Sequence, residues 1–171
     1  MKNTIKILSG IFLFTALMAL SGCDKKDPSS DLKKKIDTYV GYWNTANFQG
    51  IEDFLCADFE LIESPEFEAK KGIDKLKQTI LDIHAAYPDF HITINELICD
   101  KNKMAGIWTI TATNTGQGTR PPTGKHLNVK GISVFHFRDG KLKDEWVSEN
   151  EYYWLKQLGY TFVPPKTDSE K

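Results

Sequence analysis

Phe90-His91-Ile92-Thr93-Ile94-Asn95 alternates apolar and polar side chains, and it begins just after Pro88 closes a run of helical spacing. A period of two sends successive side chains to opposite faces of a sheet. Upstream, Ile73, Leu76, Ile80 and Ile83 recur at helical spacing and predict a helix from about Ile73 to Ala86. Pro88 ends it, because the residue before a proline is pushed out of the helical region. Downstream, Ile107-Trp108-Thr109-Ile110-Thr111-Ala112-Thr113 repeats the alternation, and further strands are expected from about Leu127 to Phe137 and from Lys141 to Ser148. Arg138-Asp139-Gly140-Lys141 between the last two is a hairpin turn, with Asp-Gly supplying residues that tolerate positive φ. Residues 116–125 form a longer loop.

Nearer the N-terminus, Ile36, Tyr39, Val40 and Trp43 make one apolar stripe of a first helix, which Asn44 to Asn47 end. Ile51, Phe54 and Leu55 mark a short second helix. Phe59 to Glu63 read as a short strand stopped by Pro65, and a last short helix carries Trp154, Leu155 and Leu158. Helices first and a run of strands afterwards is an α+β pattern. The expected architecture is a cone: a curved antiparallel sheet with the N-terminal helices packed over its open side, an apolar interior and one mouth. No internal repeat is visible.

The first residues carry a different message. Lys2 and Lys6 precede an apolar run from Ile7 to Leu20, which is short for a membrane-spanning helix. A charged start, a short apolar core and small residues form a secretory signal. Leu20-Ser21-Gly22-Cys23 matches the bacterial lipobox, whose cysteine thiol takes the lipid. The expected division is a lipoprotein signal peptide over 1–22, a lipid-anchored tether over 23–30, the cone domain over 31–163 and a flexible tail over 164–171. The domain is thus expected in the bacterial cell envelope, on the extracytoplasmic side of a membrane. An uncleaved single-span anchor would leave it on the same face.

Removing residues 1–22 from the 171 leaves 149, enough for one domain with a real core. It also removes two lysines, so the formal charge moves from −1 to −3. No basic block is present, which argues against nucleic acid as a partner. Cys56 and Cys99 could pair in an oxidising compartment; two separate buried thiols is the reading their apolar settings favour. No CxxC or Cys/His cluster points to a metal, and the reading calls for no cofactor. There is no Gly-x-Ser-x-Gly elbow, and Gly116-Gln117-Gly118 lacks the strand–turn–helix setting of a phosphate loop.

An ordered set of short elements carries a family resemblance. Trp43-Asn44 ends the first helix, and Ala86-Tyr87-Pro88-Asp89-Phe90 ends the third. Trp108-Thr109, Pro122-Thr123-Gly124-Lys125 and Gly131-Ile132-Ser133-Val134 follow. Phe137-Arg138-Asp139-Gly140-Lys141, Glu145-Trp146 and Gln157-Leu158-Gly159 complete the set. In this order and spacing they resemble the SnoaL-like polyketide cyclase family of the nuclear-transport-factor-2-like superfamily, over about residues 32–160.

That resemblance implies ring closure by an intramolecular aldol reaction, in which an aspartate moves the proton inside an apolar chamber. The aspartate is expected four residues after the strand tryptophan and nine before the glycine of the Gln-Leu-Gly element. Here that place is Asn150, an amide without useful basicity. A family histidine after the strand threonine is replaced by Asn114 following Thr113, and a second is missing near Ile62-Glu63-Ser64-Pro65.

Strand parity from these positions puts Trp108, Ile110, Ala112 and Asn114 inward, and with Asn150 it brings in Ser148, Trp146 and Asp144. With Trp43, the expected ligand-binding set is Trp43, Trp108, Ile110, Asn114, Trp146, Ser148 and Asn150. It describes an apolar chamber with amide and hydroxyl handles, suited to a small hydrophobic or carbonyl-bearing molecule. Trp108 and Trp146 serve equally well as core. Catalytic candidates are Asn150, Glu63 and Asp144, with Glu149 and Glu151 nearby; Glu63 shares the parity of Phe59 and Leu61. Of His84, His91, His126 and His136, only the last shares a strand with inward candidates.

Three functions remain open at this stage. The chain binds a small molecule without turning it over. Alternatively it is a cyclase or isomerase acting by general acid/base on a carbonyl compound. The third is a homodimeric interaction module, in which Ile132 and Val134, opposite in parity to Ser133 and Phe135, lie on a sheet face that needs cover.

Overall fold

The computed structural model describes residues 28–63 and 68–164. The signal segment, Cys23, Ser64-Pro65 and the tail from Pro165 lie outside the described residues. Helix α1 (Pro28–Thr45) leads through α2 (Ile51–Phe54) into β1 (Leu55–Ile62). A two-residue strand β2 (Lys70–Lys71) precedes α3 (Ile73–Ala86). The long strands β3 (His91–Asp100), β4 (Lys103–Thr113), β5 (His126–Arg138) and β6 (Lys141–Glu149) follow, and α4 (Glu151–Gln157) closes the chain. Among the described residues, no helix is long and apolar enough to cross a membrane.

The strands form one sheet in the order β2-β1-β6-β5-β4-β3. The meander β3 to β6 is antiparallel as the alternation predicts. The whole sheet is mixed and not antiparallel, because β1 lies parallel to β6. The chain leaves β1, builds the rest of the sheet, and returns beside β1 running the same way. β1 also starts earlier than Phe59. Leu55 pairs with Leu142, so Leu55 and Cys56 belong to the strand and α2 is a single turn. Pro28 to Ser30, expected as tether, are already helical. Cys56 and Cys99 lie on β1 and β3, with three strands between them, far beyond disulfide reach.

The core explains the helix positions. Ile36, Tyr39 and Trp43 of α1 are buried against the sheet, as are Leu76 and Ile80 of α3. Asn44 makes the α1 end fit the edge strand: its amide donates to the Ile92 carbonyl at 2.9 Å and its oxygen accepts the Ile92 N–H at 2.7 Å. Gln157 does the same for Asn128 from α4. Side-chain amides thus satisfy backbone groups that would otherwise stand unpaired. The β5–β6 hairpin has Asp139 at φ 51 and Gly140 at φ 80, the positive pair its sequence predicts.

Bulges bend the sheet. Register shifts occur between Ile94 and Glu96 on β3 and between His136 and Phe137 on the β5–β6 ladder. An extra residue on one strand raises the local twist and turns later side chains to the other face. On β6 the extra residue is Lys143, since Phe137 pairs with Leu142 while His136 pairs with Asp144.

The loop after β4 returns against the end of α3. Gly116 donates its N–H to the Ala86 carbonyl at 3.0 Å. A Cβ at Gly116 would stand 1.8 Å from the Ala85 carbonyl oxygen, a backbone atom that cannot step aside. Gly116→Ala is therefore expected to lose about 1–3 kcal/mol of stability, the usual range for overpacking, in urea unfolding.

Candidate active site

At the centre of the helix-covered sheet face, four side chains from four elements form one hydrogen-bonded chain. Trp108 of β4 donates its indole N–H to Ser133 Oγ of β5 at 2.8 Å. Ser133 donates in turn to Glu145 Oε1 of β6 at 2.7 Å. Tyr39 of α1 donates to Glu145 Oε2 at 2.6 Å. The Trp108 ring lies flat over Gly131, where a Cβ would meet it at 2.1 Å, so only glycine leaves room for it.

A cavity opens beside this chain. Its inner walls are Tyr39, Trp43, Trp108, Ile110, Val147 and Trp154, with Glu145 in the lining. Its volume is about 890 Å³, including a groove on the opposite sheet face where Ile132, Val134, Trp146 and Ser148 stand. Pairing assigns the two faces. Phe135 touches Tyr39 and pairs with Glu145, whereas Val134 pairs with Trp146.

The sequence-based candidates separate accordingly. Trp43, Trp108 and Ile110 line the inner cavity. Trp146, 46 % exposed, and Ser148 belong to the outer groove, not the chamber. Period two from the buried Leu142 would send Asp144, Trp146 and Ser148 inward; the bulge at Lys143 reverses this and turns Glu145, Val147 and Glu149 in. Asp144 faces away, with its Oδ1 2.5 Å from His136 Nδ1. Asn114 is 1 % exposed but does not line the cavity. Its oxygen accepts from Thr123 N and Thr123 Oγ1, and its amide donates toward the Ala86 carbonyl, so it holds the long loop on α3. Asn150 ends β6 and caps α4 by accepting the Tyr153 N–H at 2.9 Å; it is exposed and also absent from the chamber.

Glu63 does reach the chamber, on the parity of Leu61, and its carboxylate meets Lys70 at 2.5 Å. Glu149 and Glu151 complete the rim, the latter paired with Arg120 at 2.9 Å. Among the described residues, no group of three His, Cys, Asp or Glu could hold a metal ion.

The centre of the site, Glu145 with Tyr39 and Ser133, is what sequence reasoning missed. Glu145 was visible only as an acidic residue beside Trp146, with the wrong parity until the bulge is known.

Burial dominates the electrostatics. Glu145 is 6 % exposed, and enclosure pushes its carboxyl up to about 7. The hydrogen bonds from Tyr39 and Ser133 oppose that rise, and the charge of Glu63 adds to it. Burial, then the neighbouring carboxylate, holds the Tyr39 hydroxyl well above its usual range, so it stays a donor. Glu149 is also raised to about 7, by surrounding protein first and then by Glu63 and Glu151, against Lys70. Unlike the enclosed Glu145, Glu149 is exposed to solvent.

The profile of the SnoaL-like polyketide cyclase family matches residues 34–158. The chain belongs to that family. A search of the curated proteins found no match. Among solved structures, a protein of Jannaschia sp. CCS1, provisionally described as a SnoaL-like polyketide cyclase, superposes with a TM-score of 0.71 at 14 % identity. That match covers 84 % of this chain and 100 % of the other. TsrD from Streptomyces laurentii gives 0.67 at 18 % identity, covering 76 % and 96 %. A SnoaL-like polyketide cyclase from Agrobacterium tumefaciens gives 0.62 at 18 %, covering 75 % and 98 %. At these identities the likeness is one of fold. In this SnoaL-like chain the buried carboxyl of the chamber stands on Glu145, five residues before Asn150.

A carboxyl raised in the folded state makes the native protein bind more protons than the unfolded chain between the two pKa values. Its favourable contribution is complete below pH 4.5 and is lost as pH rises to about 7. Wild type is expected to lose up to about 3 kcal/mol relative to Glu145→Gln across that window, in denaturant titrations at stepped pH.

Proposed function

We propose that this SnoaL-like domain binds a small hydrophobic or carbonyl-bearing molecule in its chamber, held at the outer side of a bacterial membrane by lipid on Cys23. The observation that carries the reading is the chamber itself, walled by Tyr39, Trp43, Trp108 and Trp154 around one hydrogen-bonded polar chain. Aromatic and aliphatic walls with few polar groups suit a largely apolar ligand. Asn150 in place of the expected aspartate separates the domain from the family's usual proton transfer, since its side chain is committed to capping α4. Cyclase or isomerase chemistry on a carbonyl compound is the alternative use of the same chamber.

Native mass spectrometry of the protein extracted from its own membranes tests both halves. A lipid mass on Cys23 and a second, dissociable small-molecule mass are expected. Val147→Trp, which fills the chamber from β6, is expected to keep the lipid and lose the small molecule. A wild-type protein carrying neither mass would sink the reading.

A second reading has its own observation. Val134 and Trp146, paired across β5 and β6, continue through Ala105 to Ile98, and Ile107 beside Ile132 widens the exposed patch. A contiguous apolar face of this kind favours association through the sheet. A dimer in analytical ultracentrifugation that Ile132→Lys converts to monomer is the expected result; a monomeric wild type would exclude it.

A further inference from the structure

We propose that Glu145 is a general acid/base whose carboxylate removes a proton from a carbon next to a carbonyl in a molecule held in the chamber. The inference rests on the reading that the chamber takes a small molecule, and it assigns that site a reaction.

Three observations meet at this residue. Glu145 lines the cavity from a rigid central strand, flanked by β5 and β1. Its two oxygens are fixed by Tyr39 and Ser133, and Ser133 is fixed by Trp108, so the base is held in place before a ligand arrives. Each carboxylate oxygen has a further lone pair free to take a proton. A purely structural anchor between α1 and the sheet could have been an apolar contact, which is often as stable as a buried charge.

The step balances without a co-reactant. The C–H bond breaks, an O–H bond forms on Glu145, and the electron pair moves to the carbonyl oxygen as an enolate. Giving the proton back at another carbon of the conjugated anion completes an isomerisation and restores the carboxylate. The negative charge only moves from Glu145 to the ligand, so the chamber's net charge is unchanged. The Tyr39 and Ser133 hydroxyls, which held that charge on Glu145, are the donors beside it as it leaves. Among the described residues the inner lining holds no basic side chain, so the substrate class is a carbon acid whose anion is spread by its own conjugation. The groups facing Glu145 are Tyr39 from α1 and Glu63 beyond β1, with Ser133 from β5 and Trp108 behind it from β4. A base poised near neutral pH suits this work, and burial places Glu145 at about 7.

The probe is 5-nitrobenzisoxazole, whose ring opens to a coloured cyanophenolate when a base removes its one acidic C–H proton. Binding of the neutral dye N-phenyl-1-naphthylamine is measured alongside. Wild type is expected to accelerate ring opening, with a rate that rises with pH through a midpoint near 7. Glu145→Gln should lose at least tenfold in rate while still binding the dye, and Asp58→Asn, at an exposed carboxylate paired with Arg138 outside the chamber, should keep the rate. Tyr39→Phe removes a donor to the carboxylate, so its midpoint should move up. A merely structural Glu145 would not tie that midpoint to Tyr39. Dye binding without any acceleration overturns the inference and leaves the binding reading standing. So does a Glu145→Gln variant with the wild-type rate, or loss of rate in Glu149→Gln alone. Absence of both dye binding and rate overturns the two together. Should Glu145→Gln fail to fold, an unmoved midpoint in Tyr39→Phe overturns the assignment.

Discussion

A carboxylate inside an apolar chamber is expensive unless every oxygen is answered, and Glu145 sets that demand at the middle of this fold. Meeting it requires a hydroxyl from α1, a hydroxyl from β5 and an indole from β4 behind it. The position of α1 over the sheet is therefore fixed by polar geometry as well as by the packing of Ile36 and Trp43. The Trp108 ring can take its place only because Gly131 on the neighbouring strand has no side chain. Core packing and site geometry are in this way one set of contacts.

The bulge at Lys143 decides which residues enter that set. Without it, β6 would carry Asp144, Trp146 and Ser148 inward, and Asp144 would stand in the place that Glu145 takes. With it, Asp144 pairs with His136 on the outer face and Trp146 joins an exposed apolar row. One inserted residue thus decides which β6 side chains enter the chamber and leaves Trp146 exposed on the opposite face.

Buried and terminal amides work as scaffold throughout. Asn44 and Gln157 each close a backbone pair on a strand, Asn114 organises the long loop, and Asn150 starts α4. Two of these, Asn114 and Asn150, stand where the family resemblance places functional groups. The structure uses both to satisfy backbone groups, so the polar groups left in the chamber are the Tyr39 hydroxyl of α1 and the carboxylates of Glu63 and Glu145, with Glu149 and Glu151 at its rim. A fold shared with polyketide cyclases leaves the activity to that local arrangement.

Local sequence alone determined the helices over α1 and α3, the β3 to β6 meander, the Asp139-Gly140 hairpin and the inward parity of Trp108 and Ile110. Each of these follows from side-chain periodicity, a proline or a turn pair acting within a few residues. The family, too, was legible from the order of short elements. Tertiary structure alone decided the parallel pairing of β1 with β6, which depends on where a distant strand returns. It also decided the inward turn of Glu145, because a bulge is a property of two strands paired in register and leaves no period in either one. The burial that raises Glu145 is likewise supplied by α1 and the facing walls, from residues more than 100 positions away in the case of Tyr39.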